Sequence, residues 1–283
     1  MAIFVRKKNK IDRIRITIPL TPYQCSIARG ALGGIADAAD CPDIKHWKQD
    51  YRSGLMLKVN SQSLAQIIAG IAKNQYRYLS WELWPDHLSC PEYAPAWEKF
   101  QELIEILMSD FDPVYSLDYA MENGKISYLE IARDFMGVDK EDLLPWTLHA
   151  RKGDIWQKKG QKGAIYIGSK DSPRQFVIYD KRLQLIAKGL PCPYPSILRV
   201  EARIRNPGLM AKELESLDVE ALFKPLHVAS LSKARELSKE KAWRSFIETA
   251  SNQGVIAALS PLSKHYRKIY RDNLMQCSVN WCK

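Results

Sequence analysis

The sequence predicts an α+β fold in which one large antiparallel β-sheet carries flanking helices and is followed by a helical C-terminal tail. Segments that alternate polar and apolar residues indicate strands in the first and middle parts of the 283-residue chain. Segments with apolar residues at helical spacing separate strands in the first part, and this spacing dominates from residue 210 onward. Strands and helices therefore occur in runs, which favours α+β over a regularly alternating α/β fold.

Each element follows from a local pattern. Alternation and β-branched or aromatic content predict strands at 12–20, 53–60, 76–84, 145–156, 163–169, 174–181 and 197–205. Helical periodicity predicts helices at about 21–40, at 61–75 with Ser61 as the N-cap, at 94–110, and from 210 to the C-terminus. The segment 114–135 is predicted to form a hairpin, because Asn123-Gly124 is a typical type I′ turn between two strand-like runs.

The composition of the chain and the order of its predicted elements divide it into three parts. They are an N-terminal α/β part at 1–112, a catalytic antiparallel-sheet part at 113–206, and a helical C-terminal region at 207–283. Hydrophobic content of 46% and charged content of 26% are typical of a soluble globular protein with a real core. No apolar run has the length of a membrane span and the first residues do not resemble a signal peptide, so we expect a cytoplasmic protein without a membrane partner.

Cysteine and histidine spacing argues against two common kinds of site. The six cysteines include no CxxC pair and are expected to be free thiols. The five histidines show no HxH or HExxH spacing, which leaves a histidine-based metal site without support.

The positive charge is concentrated in one segment. The net charge is +10, of which residues 1–149 contribute −3, residues 150–206 contribute +9 and residues 207–283 contribute +4. A solvated face needs no such concentration, whereas a surface that follows phosphates does, so we expect nucleic acid as the partner. The cations expected to hold phosphates are Lys158, Lys159, Lys162, Arg174, Lys181, Arg199 and Arg203.

Within this basic segment, Tyr179 lies late in one predicted strand and Glu201 lies in the next. Side chains alternate between the faces of a strand, so one polar sheet face can carry Tyr179, Glu201 and the pair Glu130 and Asp134. A phenol becomes a nucleophile when cations or a metal favour its ionised form, and carboxylates are ligands for Mg²⁺ or Mn²⁺. The chemistry indicated is attack on a phosphodiester. A strand tyrosine can equally serve packing, and alternating Arg and Glu can form a solvated face with cross-strand ion pairs.

Glu130 and Asp134 are not equivalent candidates. Four residues along a strand place them about 13 Å apart, so both can contact one ion only if the strand bends. At least one of the two is therefore expected to have a structural role.

Three segments carry a resemblance to a known family: YLEIARDF at 128–135, AIYIGSKDSPRQFVIYDK at 164–181 and LRVEARIR at 198–205. In order and spacing they resemble the trans-acting rolling-circle replication initiation factors of plasmids and filamentous phages, distant relatives of the HUH nicking enzymes. The resemblance implies an HUH-like sheet, Tyr179 as the nicking nucleophile, and a Mg²⁺ or Mn²⁺ site formed by Glu201 with Glu130 and Asp134. The family commonly has aspartate where this chain has Glu130, and residues 1–112 carry no matching motif.

The implied activity is nicking of one strand at a double-stranded origin, with a 5′-phosphotyrosine intermediate, followed by rejoining. The implied partners are origin DNA, a host helicase and a host polymerase, and a homodimer is compatible with the resemblance. Two alternatives remain open at this point. One is a catalytically silent DNA-binding regulator on the same fold, and the other is an RNA- or phosphate-binding module without catalysis.

The charge distribution generates a prediction about binding. Replacing Lys158, Lys159 and Lys162 together with glutamine should weaken binding to DNA of any sequence. It should also flatten the dependence of log affinity on log salt by roughly one unit for each phosphate that is no longer bound. Titrations of unrelated duplexes at several salt concentrations measure this slope. A triple variant that kept the slope and lost only sequence preference would show that these lysines do not contact phosphates.

Overall fold

The computed structural model describes residues 5–6, 9–34, 43–49, 51–108, 112–136, 138–150, 152–158, 161–187, 189 and 196–279. The strands are β1 Val5–Arg6, β2 Asn9–Pro19, β3 Ile44–Gln49, β4 Arg52–Val59, β5 Gln62–Ile71, β6 Arg77–Leu83, β7 Lys125–Met136, β8 Leu143–Thr147, β9 Gly153–Lys158, β10 Gln161–Ile167, β11 Arg174–Asp180, β12 Ile197–Arg205 and β13 Leu226–Ser230. The helices are α1 Pro22–Gly34, α2 Pro85–Leu88, α3 Ala94–Met108, α4 Leu117–Asn123, α5 Lys181–Ala187, α6 Val219–Phe223, α7 Leu231–Leu237, α8 Lys241–Gln253, α9 Val255–Leu259 and α10 Lys264–Gln276.

The predicted fold class, α+β with a large antiparallel sheet and flanking helices, is confirmed. Within the described residues, eleven strands form one sheet in the order β3-β4-β5-β6-β2-β7-β12-β11-β10-β9, with β1 paired to β2. A smaller sheet pairs β13 with β8 in antiparallel register, Leu226 opposite Thr147. No helix in the described part of the chain combines the length and the apolar character needed to cross a membrane.

The chain divides into two compact units, 1–131 with 204–217 and 132–203 with 218–283. Strands β7 and β12 each begin in one unit and end in the other. In the first unit, Ile14, Ile16 and Ile18 alternate along β2 into the core, where Trp81 meets Phe100 edge-on.

The second unit has its own aromatic cluster beneath the helices that follow β13. Trp243 is stacked with Phe246 and meets Tyr270 edge-on, and its indole Nε1 donates to the carbonyl oxygen of Ala234 at 2.7 Å. The cluster also contains Trp146 of β8, so the small sheet and the C-terminal helices share one core.

The helix predicted at 61–75 is wrong, because this segment forms strand β5. Its side chains are buried on both faces within the sheet, so the nearly continuous apolar run lacks the alternation of a half-exposed strand. Ser61 is a turn residue instead of a helix cap. Asn60 and Ser61 both have positive φ and join β4 to β5 as a two-residue loop, as a type I′ hairpin requires.

The hairpin predicted at 114–135 is also wrong, because helix α4 precedes β7. The Ser116 hydroxyl accepts the backbone N–H of Tyr119 at the start of α4. Gly124 follows the helix with φ of −82°, which any residue can adopt. A Cβ at Gly124 would collide with Ile16 Cγ2 and would lie 2.5 Å from the carbonyl oxygen of Ala120. The glycine therefore serves close packing rather than a turn.

Two smaller corrections concern the later segments. The strand predicted at 145–156 is two strands, β8 and β9, and the helical region predicted from 210 is interrupted by β13. The remaining predicted strands agree with β2, β4, β6, β10, β11 and β12 within a few residues.

The contrast between two glycines gives a stability prediction. Gly124→Ala should lower the free energy of unfolding by about 1–3 kcal/mol, because its methyl group overlaps packed atoms. Gly30→Ala should raise it by about 0.5–1 kcal/mol, because Gly30 lies inside α1 with open space around it. Urea unfolding of both variants measures the two effects, and a Gly124→Ala variant as stable as the wild type would refute the packing role.

Candidate active site

Tyr179 lies near the end of β11, next to β12 in the sheet. Its side chain is half-buried, and its hydroxyl donates to Oε1 of Glu201 at 2.5 Å. The same hydroxyl lies 3.4 Å from Oε1 of Gln184 in α5. The two residues that sequence periodicity placed on one sheet face are therefore in direct contact through the polar ends of their side chains.

Glu201 is almost completely buried, with 2% of its surface exposed. Oε2 accepts hydrogen bonds from Arg203 at 2.7 Å from Nη2 and 3.2 Å from Nε. Arg203 lies two residues further along the same strand, so the alternation of β12 places both side chains on one face. One carboxylate thus joins a tyrosine hydroxyl to a guanidinium, an arrangement that can accept a proton from the phenol.

Two acids lie close together in the first unit. Asp12 and Glu130 each offer a carboxylate oxygen, and these two oxygens lie within 4.8 Å of each other. Glu130 is 8% exposed and Asp12 is half-buried. We call this pair the acid cluster. Oxygen ligands at this spacing suit a hard divalent cation such as Mg²⁺ or Mn²⁺, and such a cation would offset the repulsion between the two acids.

Sequence patterns provide no reason to select Asp12. It stands at the beginning of an alternating strand, where an acid is common, and it is separated from Glu130 by more than a hundred residues. The strand order, in which β2 and β7 are neighbours, brings Asp12 close to Glu130.

Asp134 has a different partner. Its Oδ1 accepts Nε of Arg199 at 2.6 Å and its Oδ2 accepts Nη2 at 2.7 Å, in a two-pronged ion pair. The side chain of Arg199 is 3% exposed and that of Asp134 is 23% exposed. Asp134 and Glu130 therefore make different contacts, as their separation along the strand predicts, and Arg199 lies inside the protein with its charge compensated.

Lys181, predicted at the end of a strand, is instead the first residue of α5. Its ammonium Nζ donates to Oε1 of Gln184 at 2.7 Å, the atom that also faces Tyr179. Asp180 accepts the backbone N–H of Leu183 and so begins the helix. Gln184, which sequence patterns do not single out, thus stands between the tyrosine and a lysine.

The remaining predicted phosphate-binding residues include Arg174 and three lysines. Arg174 is half-buried at the first position of β11. Lys159 lies outside the described residues, and so do the side chains of Lys158 and Lys162.

A second tyrosine contacts the acid cluster. Tyr128 of β7 is 8% exposed, and its hydroxyl donates to Oε2 of Glu130 at 2.7 Å. Glu130, like Glu201, therefore accepts a hydrogen bond from a tyrosine hydroxyl.

Comparisons with known proteins give distant structural likenesses. The chain is similar to a rolling circle replication initiator protein from Geobacillus stearothermophilus, with a TM-score of 0.42 and 15% identity over 88% of this chain and 98% of that one. It is also similar to DynU16 of the dynemicin biosynthetic locus, with a TM-score of 0.20 and 10% identity over 72% of this chain and 91% of the other. Both scores are below 0.5, so neither likeness bears on the site. No protein-family model and no curated protein matches the chain.

The acid cluster generates a prediction about metal binding. Mn²⁺ should raise the Tm relative to EDTA, because an ion bound only by the folded state stabilises by about 2.7 kcal/mol at a hundred times its Kd. Asp12→Asn and Glu130→Gln should each remove most of this shift.

Asp134→Asn is the matched control. It should lower the Tm in EDTA, because it removes a carboxylate charge that faces the buried Arg199, but it should keep the Mn²⁺ shift. A shift that survived in Asp12→Asn and Glu130→Gln but disappeared in Asp134→Asn would place the metal elsewhere.

Proposed function

We propose that this protein is a metal-dependent DNA strand-nicking and strand-transfer enzyme that initiates rolling-circle replication. The observation that carries the proposal is the 2.5 Å hydrogen bond from the Tyr179 hydroxyl to the Glu201 carboxylate, within a strongly basic segment. A nucleophile, a proton acceptor and cations for phosphate are the three elements that phosphodiester transfer requires. The family resemblance of 128–135, 164–181 and 198–205 points to the same chemistry.

In the proposed reaction, the Tyr179 oxygen attacks the phosphorus of one origin phosphodiester. Its proton passes to Oε1 of Glu201, which already accepts it in a hydrogen bond. The bond from phosphorus to the 3′-oxygen breaks, and that oxygen takes up a proton to become a 3′-OH. The phosphate stays joined to the tyrosine as a 5′-phosphotyrosyl link. Rejoining is the reverse step, with a 3′-OH attacking the link and Tyr179 recovering its proton.

The acid cluster supports this chemistry. The family resemblance implies Glu130 and Glu201 as the residues that would hold Mg²⁺ or Mn²⁺, which when bound would polarise the scissile phosphate. Asp12 lies beside Glu130 and offers a further carboxylate oxygen. Arg203 steadies the Glu201 carboxylate through Oε2, whereas the tyrosine hydroxyl contacts Oε1. We assign Asp134 to positioning Arg199 within the strand pair, and not to the metal.

Phosphates that flank the nick would be held by cations of the 150–206 segment, with Arg174, Lys181 and the lysines Lys158, Lys159 and Lys162 as candidates. The 3′-OH would prime a host polymerase while a host helicase separates the strands. A homodimer of this protein is compatible with this reaction.

Helix α10 is a candidate for contacts with duplex DNA. Its first six residues, 264–269, are all exposed and include Lys264, Arg267 and Lys268. Tyr270 and Leu274 anchor the following turns in the aromatic cluster. An exposed basic helix end is suited to a DNA groove or to its phosphates.

Tyr179→Phe should abolish nicking while changing DNA affinity little, because the hydroxyl is the proposed nucleophile and affinity comes from the surrounding cations. The substrate is negatively supercoiled DNA of the replicon that encodes the chain, incubated with Mn²⁺. The measured product is a nicked circle with protein attached to its 5′ end. Tyr166→Phe, on the neighbouring strand β10, is the matched control and should nick at the wild-type rate.

Other outcomes of this experiment separate the alternatives. A folded Tyr179→Phe protein that nicks normally would exclude Tyr179 and direct attention to Tyr128, whose hydroxyl contacts the acid cluster. A wild-type protein that binds the replicon and never nicks it would favour the catalytically silent regulator.

A further inference from the structure

Three arginines surround the ring of Tyr128. Their guanidinium carbons lie 5.2 Å from the ring centroid for Arg13, 6.0 Å for Arg15 and 5.7 Å for Arg205. These distances are within the range of cation–π attraction. We call Arg13, Arg15 and Arg205 the arginine cluster. Arg205 lies in the family-like segment 198–205, and none of the three is among the cations predicted to hold phosphates.

A buried acid fixes two members of this cluster. Glu82 is 1% exposed, and its two oxygens accept hydrogen bonds from different arginines. Oε1 accepts from Arg13, and Oε2 accepts Nε and Nη2 of Arg15 at 3.0 and 2.8 Å. Glu82 carries one negative charge and the two guanidinium groups carry two positive charges, so these three groups together carry a net positive charge.

The arginine side chains are also accessible. The side chains of Arg13 and Arg15 are 33% and 35% exposed, although both are held by Glu82. A guanidinium has five N–H donors, and the bonds to Glu82 use only part of this set. Such groups are suited to bind two oxygens of a phosphate, because they are partly open to solvent and already held in place by Glu82. Binding then costs little additional rotamer entropy.

The arginine cluster adjoins aromatic surface. Arg13 lies 5.2 Å from the ring centroid of Trp84, which is half-buried. Arginines interleaved with aromatic rings are typical of surfaces that bind single-stranded nucleic acid, where phosphates meet guanidinium groups and bases stack on rings.

One hydrogen bond relates the arginine cluster to the acid cluster. The ring that carries the three guanidinium contacts belongs to Tyr128, and the hydroxyl of that ring donates to Glu130 at 2.7 Å. A phosphate on the arginine cluster would therefore lie beside the acids and not at a remote surface.

We propose that Arg13, Arg15 and Arg205 form a binding site for a backbone phosphate of single-stranded DNA. This inference rests on the proposed function for the identity of the strand. The site supplies affinity and position, and it takes no part in bond breaking.

The test is single-strand binding without metal or cleavage. The full-length protein is titrated into a fluorescently labelled oligothymidylate in EDTA at several KCl concentrations. Arg15→Gln and Arg205→Gln should each weaken binding and reduce the slope of log affinity against log salt by about 0.7, the value for one phosphate contact on a single strand. Arg15→Lys should keep most of the slope, because it keeps the charge.

Arg52→Gln is the control, since it removes one exposed arginine from β4, which β5 and β6 separate from β2. Slopes in Arg15→Gln and Arg205→Gln that fall no further than in Arg52→Gln would overturn the inference and leave a structural role for the cluster. Arg205→Gln covers the case in which Arg15→Gln fails to fold, because Glu82 keeps both of its arginines in that variant.

The result is independent of nicking. If the slopes change as expected but no nicked circle forms, the phosphate site is supported and the proposed enzymatic function is refuted. If the protein nicks normally and the slopes do not change, only the phosphate site is refuted. A wild type that does not bind the oligothymidylate also refutes the phosphate site.

Discussion

The buried carboxylate of Glu201 is the constraint on which the candidate site depends. A carboxylate that is 2% exposed is costly to keep in the core unless hydrogen bonds and opposite charge replace its hydration. Tyr179 and Arg203 each satisfy one of its two oxygens. The need to satisfy this single group therefore fixes the position of the tyrosine hydroxyl.

The same arrangement recurs along this sheet. Glu82 is buried and holds Arg13 and Arg15, and Asp134 holds the buried Arg199 with both oxygens. In each case an acid on one strand orients an arginine on another. Pairs of this kind contribute little net stability, because desolvation offsets their attraction, but removing one partner is expensive. Their effect is to hold long, flexible side chains in one place, which is what a site that handles phosphates needs.

Local sequence patterns predict the elements that carry Tyr179 and Glu201, because both strands show clear alternation of polar and apolar residues. Their proximity also follows from a short sequence separation and a single strand pairing. Asp12 could not be predicted, because its proximity to Glu130 depends on the global order of the strands. The sequence of strand β5 resembles that of a helix, because a strand buried on both faces lacks the alternation of polar and apolar residues. Gly124 suggests a hairpin because a glycine required for packing and a glycine required for a turn look alike in sequence.

The division into two units has a consequence for synthesis on the ribosome. The first unit takes its last segment, 204–217, from beyond the second unit's first segment, 132–203. The nascent chain therefore cannot complete the first unit until residue 217 has emerged. Contacts that span such long separations carry a high loop-closure entropy and form late. A growing chain of this topology exposes unpaired strand edges for much of its synthesis, so its yield in the cell should depend on translation rate and chaperone supply as much as on final stability.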